Sequence, residues 1–461
     1  MSTYAPTILP DRRTAPDYVV LSPFVANAIT FWVPLAIIVV AMFGVQHSWD
    51  YSSPSYVEGQ NFRDLVAEVG NSSLGRQLGL LTIGAIGALM MMTRSRQPIA
   101  VNVRLACMLA ALASWVILSA LWADDMELSL KRAVQPVLLI VAALGVTKHW
   151  QPRQVCLFTA MVTGGILLLG IASACIQGSL LLGEAYRFTG TLHSNLQATN
   201  CAALCLASLA LFLEPQSQGA SQYRWRWLIL FVIGFVFLCL TRSRTTTTAM
   251  LAALVPFFLL GASYKRTFVV GYVLILIAAI GAALLLLGEG DTRGAFFNVM
   301  QMGREDDMDD ATSLTGRIPV WRLAMWDIAE RPLCGYGCGA YWTSQRVLDY
   351  SYNCHWEPTH AHSAYLETML NVGAIGLAMG LILIGSATWA AVRIYTQSHD
   401  AGYRFIVAVL FMAMVQGILD SNFVLIGFDA LLVLICISSV ILHDRPDRES
   451  VANTVLPALH G

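Results

Sequence analysis

The chain has 461 residues, of which 56% are apolar and only 12% are Asp, Glu, Lys or Arg, about half the charged share of a soluble globular protein. A water-soluble protein of this size needs a charged coat, so lipid must cover much of this one. A net charge of −1 leaves no basic excess for nucleic acid, and no nucleic-acid partner is expected.

In chain order, the segments that lack charge have membrane length, since roughly 20 helical residues cross a hydrocarbon layer about 30 Å thick. They fall near 25–45, 77–93, 105–122, 133–147, 155–175, 195–213, 227–240, 246–263, 267–287, 368–390, 405–418 and 423–443. The segment at 133–147 is the weakest, being short and holding Pro136; without it the two ends would lie on opposite sides. The first span has no convincing cleavage pattern and reads as an anchor rather than a removable signal. The expected fold is all-α, a polytopic integral membrane protein of about 12 transmembrane helices with one large periplasmic loop.

Charge placement checks this topology through the excess of Lys and Arg in cytoplasmic loops. With the N-terminus inside, 15 of the 28 basic residues fall on the cytoplasmic side, among them Arg94, Arg104, Lys148, Arg153, Arg393 and Arg404. Short outer loops hold seven, and one long outer segment holds six. The expected organisation is a cytoplasmic tail at 1–24, helices one to nine at 25–287, a periplasmic loop at 288–367, helices ten to twelve at 368–443 and a cytoplasmic tail at 444–461. A bacterial inner membrane is the expected location. Most of the ten cysteines lie in spans, while Cys334, Cys338 and Cys354 lie in the outer segment, where a disulfide is permitted.

Ahead of Glu367, the outer segment carries eleven acidic and six basic residues and is therefore about five negative. Residues 301–311 read as an exposed acidic loop without calcium-loop spacing. Over 317–331 the positions Val320, Leu323, Ala324 and Ile328 predict a short amphipathic helix, stopped by Pro332, with Trp321 and Trp326 at the membrane interface. The run Gly335-Tyr-Gly337-Cys-Gly339 follows no strand and lacks the Lys-Ser/Thr of a phosphate loop; it predicts a tight turn where backbone approaches backbone.

Several polar residues return to the outer side: Arg187, His193, Arg242, Arg244, Arg317, His360 and His362. Such groups near membrane depth are expensive unless paired or used. Thr241-Arg-Ser-Arg-Thr-Thr-Thr-Thr248 puts two guanidinium groups at a helix start, a chemistry suited to a diphosphate or to a lipid headgroup. His360 and His362, followed by Tyr365 and Glu367, allow an interfacial pair, a general base, or a metal site with His355 or Glu357, although no standard zinc spacing is met. If they were helical, the two histidines would point about 200° apart, so only one could face a common cleft.

Taken together these pieces resemble the O-antigen ligase and polysaccharide polymerase family, closest to its exopolysaccharide polymerase branch. The resemblance rests on Arg187-Phe-Thr-Gly190, Leu192-His-Ser-Asn195, Thr241-Arg-Ser-Arg-Thr245, Thr315-Gly-Arg-Ile-Pro-Val-Trp321, Glu330-Arg-Pro-Leu-Cys-Gly-Tyr-Gly337 and the stretch His360 to Gly376. It implies a metal-independent glycosyltransferase without cofactor, taking a glycan from an undecaprenyl diphosphate carrier at the periplasmic face. The acceptor would be a growing glycan in a polymerase or the lipid A-core in a ligase, and both remain open. Membrane lipids surround such a protein, and polysaccharide export or chain-length proteins are implied partners.

The resemblance assigns His362 as catalytic base and Arg244 and Arg317 as phosphate-binding arginines. Arg187, His193, Asn195, Arg242, His360, Tyr365 and Glu367 are implied substrate-binding residues, and Glu367 is also placed to orient His362. Ser194 stands where many relatives have proline or lysine. A secondary transporter would suit twelve spans equally, but would need charge at midplane, and the candidate spans hold almost none. A non-catalytic scaffold is the remaining alternative.

Overall fold

The computed structural model describes residues 31–46, 74–95, 99–178, 186–214, 224–261, 316–354, 356 and 358–443. Among them are thirteen α-helices and no β-strand. They are α1 Val33–Gln46, α2 Leu74–Met92, α3 Val103–Leu118, α4 Met126–Thr147, α5 Pro152–Ile176, α6 Ser194–Phe212, α7 Trp225–Leu240, α8 Arg244–Leu260, α9 Arg317–Glu330, α10 Ser344–Cys354, α11 Ala364–Ser398, α12 Ala401–Gln416 and α13 Phe428–Leu442.

Eleven of the twelve expected spans coincide with a helix, while 267–287 lies outside the described residues, as do both tails and the acidic loop. Six helices are long and apolar enough to cross a membrane: α2, α3 with its 3-10 extension to Trp122, α4, α5, α6 and α11. The chain is an all-α polytopic membrane protein. The doubtful fourth segment is a helix long and apolar enough to span: α4 starts on Asp125, whose carboxylate accepts from Leu128 N at 2.9 Å, and continues through Pro136 to Thr147.

At the centre stand α6 and α12, where nearly every side chain is buried. Ala198, Ala202, Ala203, Ala207 and Ala210 keep the α6 surface small, which lets helices approach closely where apolar association alone drives nothing. Outward faces are apolar, with Val40, Leu89 and Leu168 exposed, as a lipid-facing surface requires.

The outer segment is more than one helix. Val320, Ala324 and Ile328 of α9 are buried, as their spacing predicts, and meet Tyr336, Tyr341, Trp342, Val347 and Tyr350 in a small second core. Helix α10 was not expected. Tyr341 and Tyr350 both donate to Asp327 Oδ2, the latter at 2.8 Å, and the Arg346 guanidinium lies 4.4 Å from the Tyr336 ring centre. Asp124, in the turn before α4, holds Arg331 at 2.7 Å and Arg346 at 3.1 Å and ties this core to the bundle. Burial pushes the Asp124 carboxyl up, but the two guanidinium groups bring it below the usual range. Trp326 is exposed, whereas Trp321 is half-buried and its Nε1 donates to Ala361 O at 3.0 Å.

The glycine run makes the expected backbone approach, and its partner is a break in α11. Gly373 has φ +71, in the left-handed region open to glycine. Around the break, Tyr336 N donates to Leu370 O at 2.8 Å, Gly337 N to Asn371 O at 2.9 Å, and Ala374 N to Pro332 O at 2.8 Å. The segment 332–337 thus takes over hydrogen bonds that a continuous helix would make internally.

Candidate active site

The site is built where α6, α8, α9 and α11 begin and α12 ends. Helices α8, α9 and α11 each start without a side-chain cap, but Ala364 N at the start of α11 is taken by Gly417 O at 2.8 Å and Asp420 O at 3.1 Å, so it is the first turns of α8 and α9 that offer N–H groups to an anion. Arg244 and Arg317 are the first residues of α8 and α9.

Arg187 works as a staple: its Nε donates to Thr241 O at 2.9 Å and its Nη2 to Asn195 Oδ1 at 3.0 Å. It thereby fixes the loop before α6 against the turn between α7 and α8. That turn holds Arg242 at φ +51. From Asn195 a polar chain runs inward. Ser243 Oγ lies 3.3 Å from Asn195 Oδ1 and 3.2 Å from Thr246 Oγ1, and Gln416 Nε2 donates to Thr199 Oγ1 at 2.8 Å and to Thr246 Oγ1 at 3.3 Å. Asn422 Nδ2 continues it from Thr199 Oγ1, at 3.2 Å, to Asp420 Oδ2, at 3.4 Å. Asp420 carries the chain to the histidines, because its backbone carbonyl accepts from Ala364 N at 3.1 Å.

The histidines precede α11 rather than lie on it, so the helical offset of about 200° does not apply. His362 adopts φ +49, a costly conformation for a non-glycine residue that the surroundings must impose. Its backbone N–H donates to His360 Nδ1 at 3.2 Å, and the two ring centres lie 3.8 Å apart. Trp356 backs His362 at 5.3 Å. The two rings therefore lie together, and the offset, which was expected only for a helical pair, has no bearing on them.

Glu367 does not orient the His362 ring directly. Its buried carboxylate accepts from Ala361 N at 2.8 Å, Asn371 Nδ2 at 2.9 Å and Trp342 Nε1 at 3.0 Å, so it clamps the backbone between the histidines and joins it to the glycine run. With all these donors satisfied inside the protein, it is placed as a support and not as a sugar ligand. Ser363 Oγ donates to Gly417 O at 3.3 Å, and Tyr365 OH donates to Met414 O at 2.5 Å, which pins the same turn to the end of α12.

Arg317 lies close enough to His360, His362 and Asp420 to act on all three. Burial, then His193 and Arg317, hold the His360 imidazole down at about 4. Burial, then His360, Arg317 and His193, hold His362 well below the ordinary range. Asp420 moves the other way, pushed up by burial despite Arg317. Both imidazoles are therefore neutral at pH 7, the state in which a base can accept a proton.

No three His, Cys, Asp or Glu among the described residues are grouped to hold a metal ion. His355 and Glu357, the other members of the metal alternative, lie outside those residues. All ten cysteines are free thiols. The sequence reading passed over Gln416, Asp420 and Asn422. A signal was there: the polar triplet Asp420-Ser-Asn422 interrupts two apolar spans on the same side as the arginines.

No curated protein sequence matches the chain. A sequence model described as O-antigen ligase matches residues 229–381, from α7 to just beyond the break in α11. Over these residues, which hold Arg244, Arg317, His360 and His362, the chain is similar to the O-antigen ligase family.

Proposed function

We propose that the protein is a metal-independent inner-membrane glycosyltransferase that moves a glycan from undecaprenyl diphosphate to a sugar hydroxyl at the periplasmic face, extending a polysaccharide. The observation that carries this reading is the meeting of Arg317 with a neutral His360–His362 pair at uncapped helix starts. A diphosphate leaves readily once its developing charge is neutralised, so the donor brings its own activation. Arg244, Arg317 and the first-turn N–H groups supply the positive field, and His362 removes the acceptor proton as the new bond forms. Arg187, Asn195 and Arg242 shape the rim, with His193 exposed at its mouth.

The family description favours a second reading, delivery of the glycan to the lipid A-core by a ligase. Donor chemistry and clamp are the same in both. Purified protein in nanodiscs, supplied with lipid-diphosphate glycan extracted from the producing strain, decides the matter. Longer carrier-linked chains identify a polymerase, and glycan transferred to added lipid A-core identifies a ligase. No transfer to either acceptor would sink the transferase reading.

A further inference from the structure

The two hydrogen bonds made by histidine Nδ1 atoms in the cleft assign tautomers. His360 Nδ1 accepts from His362 N at 3.2 Å, and His193 Nδ1 accepts from Asn195 N at 3.4 Å. A neutral imidazole has one donor and one acceptor nitrogen, so in each ring the proton resides on Nε2. No described group accepts from either Nε2; His193 is exposed, and His360 Nε2 is not among the buried unpaired atoms, so each keeps a proton to donate. His362 uses neither ring nitrogen within the protein and keeps the freedom a base requires.

We propose that His360 is a neutral electrophile: its Nε2–H donates to an oxygen of the diphosphate that departs when the glycan is transferred. The proposal rests on the transferase reading and deepens it. The acceptor oxygen attacks the anomeric carbon, and the carbon–oxygen bond to phosphate breaks with its electron pair passing to the diphosphate. The acceptor proton goes to His362, while His360 keeps its own proton and shortens its hydrogen bond as charge grows. A ring 3.8 Å from the base is near enough to the reacting carbon for that task. A donor that stays neutral rewards the charge developed in the transition state without adding a third cation to hold the diphosphate product.

Two substitutions separate this role from a structural one. In His360→Asn the side-chain oxygen can still accept from His362 N in a local turn, but the distal donor is gone. In His360→Gln the amide nitrogen reaches the Nε2 position, and the acceptor for His362 N is lost. In the nanodisc assay with extracted lipid-diphosphate glycan, His360→Asn should lower kcat about 10²-fold with the acceptor KM unchanged. His360→Gln should stay within about tenfold of wild type.

The reverse order, or equal loss in both, would mean that His360 only supports the turn and would overturn the proposal. A rise confined to the acceptor KM would overturn it by moving the donor to the acceptor sugar. Nitrogen-15 spectra of histidine-labelled wild-type protein and His360→Gln provide a readout that does not depend on turnover. The signal lost in His360→Gln should belong to a neutral ring protonated on Nε2, and an Nδ1–H ring or imidazolium would overturn the assignment. If wild-type protein transfers nothing, the functional reading fails first, which that control alone reveals.

Discussion

At the residue scale, the division of labour rests on which imidazole nitrogens are already engaged. His362 has an open ring in a strained backbone, so removing it should leave the fold and donor binding intact but lower turnover by a factor on the order of 10² to 10⁴. Near-normal kcat from correctly folded His362→Ala would remove the base assignment. Arg244→Ala and Arg317→Ala should instead weaken donor binding as well as transfer. The pH response is a second expectation. Because burial and Arg317 hold His360 at about 4 against an ordinary value of 6.5, and His362 is likewise held down, the base is already present throughout the neutral range. The kcat/KM profile should be flat between about pH 8 and 6, and a fall centred near the ordinary imidazole value would contradict it. The same shifts destabilise the fold in acid: below 6.5 the unfolded chain takes up protons that the folded one refuses, so the melting temperature should drop from there towards pH 4. Arg244, Arg317 and His362 could be noticed in the sequence with four other outer-side polar groups because such groups are costly beside apolar spans, and the family resemblance then selected them. Gln416, Asn422 and Thr199 could not, since uncharged polar residues in spans are common and only the packing of α6 against α12 brings them together.

At the element scale, the break in α11 decides where the histidine turn sits. Gly373 has φ +71, and a Cβ there would strike Leu333 O and Cys334 N, while one on Gly335 would lie 2.8 Å from Gly373 N. Gly373→Ala should therefore lower stability by about 2 kcal/mol or more, read as a drop in melting temperature and faster proteolysis within 332–343. Gly380, in the same helix, has open space where a Cβ would go, so Gly380→Ala should be neutral or slightly stabilising. Equal damage from both would mean that the break is not a point of close approach. Glycine spacing in the sequence announced a backbone contact but not its partner, because a contact with α11 some three dozen residues away leaves no local pattern. Helix α10 is short and polar, with only Val347 and Tyr350 buried, so it lacks the apolar run that marks the spans.

At the scale of the whole molecule, the sequence located the spans well because lipid imposes both a length and an absence of charge, and neither depends on how helices pack. Their arrangement around α6 and α12 follows from side-chain fit and had no such signature. What joins span order to chemistry is sidedness. The starts of α6, α8, α9 and α11 and the end of α12 carry Arg244, Arg317, His362 and Asp420 at one end of the bundle. Lys148 in the α4–α5 turn, Arg153 at the start of α5 and Arg404 at the start of α12 lie toward the opposite end. Charged groups there are tied into the protein: Arg153 pairs with Glu214 at 2.9 Å, and Arg404 donates to Phe257 O. The excess of basic residues on that second end favours the cytoplasm for it, and the proposed function requires the site to lie on the periplasmic side. Reporter fusions after residues 98, 150 and 219 should accordingly be active in the cytoplasm, and fusions within 46–75 and 288–363 outside it. The decisive fusion is the one in 288–363. A cytoplasmic signal there would put Arg317 and the histidine turn on the side where periplasmic glycan transfer cannot occur, and the mechanism would have to be given up whatever the activity of the variants.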